Sequence, residues 1–237
     1  MKKILLSIPA LIGCILSCED RTNPNYDTVY EYTVPIKTDD GWEVASLPET
    51  GMDLIPIADF MNEFLNHVEH KIHGILIVKD NKLVFEEYFP GYAFYHGAYT
   101  DFDRETAHNL ASVTKSFVSA LAGIAIDQSF LQDVHQKVFS FFPEYDDLKN
   151  EEKDKITLEH ILTMTSGLEW DETTYPYTDS RNDVAVLQSQ GDPIEYILSK
   201  PLLTEPGTDF VYSSGSTIVL GEVIRKTAGQ RADDFAS

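Results

Sequence analysis

An α+β fold is the class this sequence predicts, and two patterns predict it. From Leu54 to about Glu69 apolar residues recur at helical spacing (Ile57, Phe60, Met61, Phe64, Leu65, Val68), and two β-rich runs, 73–79 and 82–88, then flank Asp80-Asn81. A helix followed by a β-hairpin accounts for this stretch. The second pattern is Phe117-Val-Ser-Ala-Leu-Ala-Gly-Ile-Ala-Ile126, apolar on nearly every side, as in a helix buried in the middle of a domain.

The N-terminus is of another kind. Residues 1–18 have a basic start at Lys2 and Lys3, an apolar stretch too short to span a membrane as a lone anchor, and a sharp turn to acid at Glu19. This reads as an export signal of lipoprotein type, in which the cysteine after small residues is lipidated and becomes the first residue of the mature chain. Cys18 fits best. Cys14 also fits, but cleavage there would leave Ile15 and Leu16 exposed, and an ordinary secretory signal is the plainer alternative. The expectation is a bacterial lipoprotein of the cell envelope that meets the membrane only through its lipid. Residues 19–50 are polar with single prolines at Pro24, Pro35 and Pro48, which suits a tether and an extended arm. The remainder, 51–237, has the length for one sizeable domain.

Composition removes several functions. The formal charge is −21, and loss of the leader would remove Lys2 and Lys3 but no acid, so the surface repels nucleic acid and anionic lipid. The two cysteines are Cys14 and Cys18, which leaves the domain without a disulfide or a cysteine metal site. His67, His70 and His73 are evenly spaced, but His73 begins a strand and no acidic ligand joins them in a recognised pattern. H-E-x-x-H, a phosphate-binding glycine loop and a G-x-S-x-G elbow are all absent from the sequence. No metal or organic cofactor is expected.

Ser112-Val-Thr-Lys115, at the head of the apolar helix, supplies the chemistry. Residues three apart share one helix face, so the Ser112 hydroxyl and the Lys115 amine point into the same space, as proton abstraction requires. Burial and a positive helix N-terminus would make the lysine a usable base, and the apolar helix implies that Lys115 is largely desolvated. Taken alone the spacing is equally that of an exposed first-turn serine and a surface lysine.

Context comes from two later segments. One is Ile156-Thr-Leu-Glu-His-Ile-Leu-Thr-Met-Thr-Ser-Gly167-Leu, whose Thr165-Ser-Gly167 reads as a turn acting through backbone placement. The other runs from Glu205-Pro-Gly through Tyr212-Ser-Ser214 to Gly229. In this order and at these separations, the three segments resemble the serine β-lactamase and penicillin-binding protein superfamily, particularly its class C-like, esterase and 6-aminohexanoate-dimer hydrolase branch. The resemblance runs from about Ile72 to the end and implies a β-lactamase/D,D-peptidase-like fold, an antiparallel sheet beside an all-helical lobe. It also implies Ser112 as the acylated nucleophile, Lys115 as its base and Tyr212 as a proton relay to the leaving group. Ser214 stands where many relatives carry asparagine, and would contact substrate through a shorter group.

The family's third motif, Lys-Thr-Gly or His-x-Gly on a late strand, has no counterpart here, because Lys226-Thr-Ala-Gly229 reads as a helix end with a glycine cap. The resemblance therefore implies an N-terminal part of such an enzyme, with the late strands and terminal helix missing and one hairpin edge unpaired. Between the motifs, 167–183 lacks periodicity and is rich in aromatics, as in a loop at the rim of a site. Trp170, Tyr175 and Tyr177 are the candidates to shape an acyl pocket, or else pack the loop on itself. The function implied is a serine hydrolase that forms an acyl-enzyme from an ester, amide or peptide carbonyl of a small molecule or short peptide. The alternatives are a D,D-peptidase, a non-hydrolytic acyl-binding module and an inactive remnant.

Overall fold

The computed structural model describes residues 29–66, 71–93 and 97–236. They fall into two compact units, one ending at Ala107 and one beginning at His108. The leader with Cys14 and Cys18, and the histidines His67 and His70, lie outside the described residues.

The first unit is a small sheet with a helix on it. Strands β1 (Glu43–Val44), β2 (Gly74–Lys79) and β3 (Lys82–Tyr88) lie in the order β1-β3-β2. Strands β2 and β3 pair antiparallel and β1 joins β3 parallel. Asp80 and Asn81 close the hairpin with φ of 50° and 60°, a left-handed pair that a two-residue turn needs and that these two residue types tolerate. Helix α1 (Leu54–Asn66) contributes Met61 and Phe64 to a core with Val84, Phe85 and Phe89, and the Phe64 and Phe89 rings meet edge-on at 4.7 Å.

Residues 29–50, read from sequence as tether and arm, contribute to this core as well. Leu47 is fully buried, and the Tyr32 hydroxyl accepts from the Leu47 N–H at 3.1 Å while donating to the Val84 carbonyl at 2.8 Å. Arg104 Nε donates to Glu86 on β3 at 2.8 Å, and its Nη1 donates to Thr38 at 2.7 Å, which ties arm to sheet. A two-residue ladder, β4 (Gly91–Tyr92) with β5 (Tyr99–Thr100), follows. Strand β2 is an edge of its sheet, with Leu76 and Val78 about half exposed.

The second unit is helical. Its long members are α2 (Thr114–Asp127) and α6 (Ser214–Ala228), and the short α3 (Leu158–Leu162), α4 (Asp183–Leu187), α5 (Pro193–Ser199) and α7 (Ala232–Phe235) complete it. Helix α6 is the centre, packed on α2, α3, α5 and α7, and it buries Val219, Leu220, Val223 and Ile224 along one stripe. Ser213 caps its start by accepting the Ser216 N–H at 3.1 Å, and Gly229 ends it with φ of 74°.

Helix α2 corrects one expectation. It was expected to be buried all round, yet only Val118, Leu121, Ala122 and Ala125 are buried, whereas Phe117 is 56% and Ile124 43% exposed. The second unit covers one face of the helix and leaves the other open. Lys115 is accordingly half-buried rather than largely desolvated.

Candidate active site

Ser112 sits in the 3-10 turn Ala111–Val113 that runs directly into α2. Before it, Ala111 has φ of 43°, a left-handed conformation worth about 1–3 kcal/mol of strain in a residue with a Cβ. Local bonds hold that bend: the Asn109 side chain accepts the Ala111 N–H at 2.8 Å, and the Leu110 carbonyl accepts the Val113 N–H at 2.9 Å. The result is an exposed serine presented at a helix start.

One turn on, Lys115 Nζ lies 3.1 Å from Ser112 Oγ and 3.0 Å from Ser214 Oγ, and it stands 4.8 Å over the Tyr212 ring. The structure thus brings Ser112, Lys115, Tyr212 and Ser214 together from the starts of two helices and the chain leading into them, with the lysine and Ser214 99 residues apart in sequence. Helix α6 places Ser214 in its first turn, and the chain leading into it places Tyr212.

That approach is set by the Thr165-Ser166-Gly167 turn. The Gly167 carbonyl accepts from Leu203 N–H at 2.8 Å, Thr165 from Gly207 N–H at 2.8 Å and Met164 from Val211 N–H at 2.9 Å, so 203–211 is laid along 164–167 just before Tyr212. Gly167 has φ of 77°, and a Cβ there would stand 2.2 Å from the Thr204 carbonyl oxygen. Glycine is required at that point by both conformation and space.

Of the three loop aromatics, Trp170 is only 8% exposed and belongs to the core of the second unit. A Cβ on Gly215 would come within 2.9 Å of its indole, so Trp170 fills the space beneath the start of α6 instead of facing a substrate. The Tyr175 ring lies 3.9 Å from the Arg181 guanidinium, and its carbonyl accepts from Asn182 at 2.7 Å. Tyr177 is 58% exposed. Partial burial, then the charges of Glu172 and Tyr212, raise its phenol above the ordinary value.

Glu172 is the site residue that sequence reasoning missed. It is 2% exposed and receives three bonds: from Trp170 Nε1 at 2.7 Å, from the Ser214 N–H at 2.6 Å and from the Ser214 hydroxyl at 2.9 Å. Its backbone is fixed by Asn182, fully buried, whose amide donates to the Glu172 carbonyl at 3.1 Å and whose oxygen caps α4 by accepting the Val184 N–H at 2.9 Å. In an acidic chain a single Glu in Trp-Asp-Glu carries no sequence mark of burial.

A comparison with protein-family models finds that of the family Beta-lactamase matching residues 57–237. A provisionally named D-alanyl-D-alanine carboxypeptidase of Salmonella agona is 26% identical over 173 residues, which is 68% of this chain and 39% of that protein. Among solved structures, FmtA from Staphylococcus aureus aligns with a TM-score of 0.54 at 16% identity, covering 85% of this chain and 50% of its own. EstCE1, a hydrolase with promiscuous acyltransferase activity, aligns at 0.53 and 23% identity, over 69% of this chain and 44% of its own. The chain therefore spans half or less of the length of each of these proteins.

Proposed function

The chain belongs to the beta-lactamase family and has its α+β fold, and from that premise we propose that Ser112 is the nucleophile of a serine hydrolase acting on an ester, amide or peptide carbonyl. The observation that carries the reading is Lys115 Nζ at 3.1 Å from Ser112 Oγ, within reach of the hydroxyl proton. As the Ser112 oxygen bonds to the carbonyl carbon, its proton passes to Lys115 in the amine form. Collapse of the tetrahedral species breaks the bond to the leaving group, which takes a proton by way of Tyr212 and departs. Water then attacks the ester on Ser112, returns the acid and restores the hydroxyl.

Of the loop aromatics, Tyr177 is the one proposed to meet the acyl group, supported by its exposure. A D,D-peptidase is the second reading, and the Salmonella relative's name favours it. The two share every step at Ser112, and the second narrows the leaving group to an amine from a peptide. No metal or organic cofactor enters either. Export and lipidation at Cys18 complete the proposal, supported by the basic start, the short apolar run and the acidic turn of residues 1–20.

Intact mass after exposure to a fluorophosphonate tests the nucleophile. One adduct on the wild type, absent in Ser112→Ala and slowed about 100-fold or more in Lys115→Ala, is the expected result. A wild type that takes no adduct refutes the reading. A subsequent activated ester separates turnover from an acyl group that stays on Ser112.

A further inference from the structure

We infer that Glu172 is a positioning residue: its carboxylate fixes the direction of the Ser214 hydroxyl and, through it, aims Lys115 at Ser112. The inference rests on the serine-hydrolase reading and extends it to a residue outside the nucleophile, base and relay.

The argument begins with an unusual burial. A carboxylate that is 2% exposed is unfavourable unless its oxygens are fully bonded, and Glu172 satisfies them with uncharged donors. Oε2 takes the Trp170 and Ser214 N–H groups, and Oε1 takes the Ser214 hydroxyl. An ionised carboxylate accepts and cannot donate. The one proton of Ser214 Oγ must therefore point at Glu172.

Lys115 feels the consequence. Ser214 Oγ, 3.0 Å away, now offers it only lone pairs, so one lysine N–H is committed to that oxygen. A lysine in its amine form has two N–H bonds and one lone pair. With its stem fixed in the first turn of α2 and one N–H held by Ser214, the lone pair is free for the Ser112 hydroxyl at 3.1 Å. Were the Ser214 proton turned the other way, it would take that lone pair and compete with Ser112.

The surroundings are built to hold this direction. Asn182 fixes the Glu172 backbone, and the Trp170 indole is wedged against Gly215, the neighbour of Ser214. A purely structural reading would make Glu172 a cap for α6, yet Ser213 already caps that helix through the Ser216 N–H. The bond from the Ser214 hydroxyl is additional to capping.

Glu172→Gln tests the inference on the full chain. Glutamine is the same size, and its single oxygen can keep the two N–H donors. Its amide then faces Ser214 Oγ as a donor and turns the hydroxyl toward Lys115. Saturation kinetics of fluorophosphonate labelling are expected to show a maximal rate about 10- to 100-fold lower, with the half-saturating concentration within about twofold of wild type. Ser214→Ala, which leaves the Trp170 and Ser214 N–H bonds to Glu172 in place, is expected to lose a similar factor. In the double variant Glu172→Gln should slow labelling no further.

Wild-type maximal rates in either single variant overturn the inference, and the Ser214→Ala arm does so even if Glu172→Gln fails to fold. Equal slowing by Glu172→Gln with and without the Ser214 hydroxyl overturns it too, because the carboxylate would then act by another route. A wild type that labels beside an indifferent Glu172→Gln removes the inference alone. A wild type that never labels removes the serine-hydrolase reading and this inference with it.

Discussion

Gly167→Ala should destabilise the helical unit far more than Gly229→Ala, although both glycines are left-handed, with φ of 77° and 74°. An alanine in that conformation loses roughly 1–2 kcal/mol at either site. At Gly229 nothing lies within 4 Å of the new methyl, so the cost ends there. At Gly167 the methyl would sit 2.2 Å from the Thr204 carbonyl oxygen and 3.2 Å from a Leu202 methyl. The opposing atom is backbone, so no rotamer change relieves the overlap, and the two segments must part by an ångström or more. Parting them loses the Leu203 N–H bond to the Gly167 carbonyl at 2.8 Å, worth roughly 1–3 kcal/mol where its groups stay unpaired. Overpacking of the neighbours adds about 1–3 kcal/mol. The difference between the two variants should therefore be about 2–6 kcal/mol. Urea unfolding followed by ellipticity at the helix band measures it, and the entropy that alanine removes from the unfolded chain cancels in the comparison. Losses that agree within about 0.5 kcal/mol would refute the steric argument.

Three further outcomes can be checked. Asn182→Ala removes a fully buried amide that holds the Glu172 and Tyr175 carbonyls and caps α4, and should cost about 2–4 kcal/mol in urea unfolding; a loss under 1 kcal/mol would count against it. Burial acts to raise the Glu86 carboxyl, but hydrogen bonds from Arg104 and Tyr88 outweigh it and hold the group below its ordinary 4.5. That contribution is complete above about pH 4.5 and is lost as pH falls through the lowered value, so Glu86→Gln should shrink the gap between urea midpoints at pH 6 and pH 3. If Cys18 carries the lipid, labelled palmitate should enter the wild type and Cys14→Ala but fail to enter Cys18→Ala in a bacterial host; incorporation into Cys18→Ala would exclude that position.

The local elements were legible because their signals are local. Helix α1 and the hairpin fall where the apolar spacing and Asp80-Asn81 put them, since a period of 3.6 or 2 and a left-handed turn are written in neighbouring residues. The meeting of Ser112, Lys115, Tyr212 and Ser214 was legible through motif order. What stayed hidden depends on how many neighbours a residue acquires. The open face of α2 at Phe117 and Ile124 could not be told from a covered one, because composition reports preference for burial and not its achievement. Leu47 and the short strand β1 were hidden in a polar arm, where two residues of parallel pairing leave no periodicity. Glu172 was hidden by its own residue type, since a carboxylate is solvated far more often than buried.

The contact between Lys115 and Ser214 spans 99 residues, and that distance also sets a clock. During synthesis α2 leaves the ribosome well before α6 exists, and at about 5–20 residues per second the delay is roughly 5–20 s. Over that interval Ser112 has a lysine beside it but neither Tyr212, Ser214 nor Glu172 to organise that lysine. On the proposed reading a nascent chain is thus an unarmed one: it can meet reactive acyl compounds in the cell that makes it without being consumed by them until α6 docks.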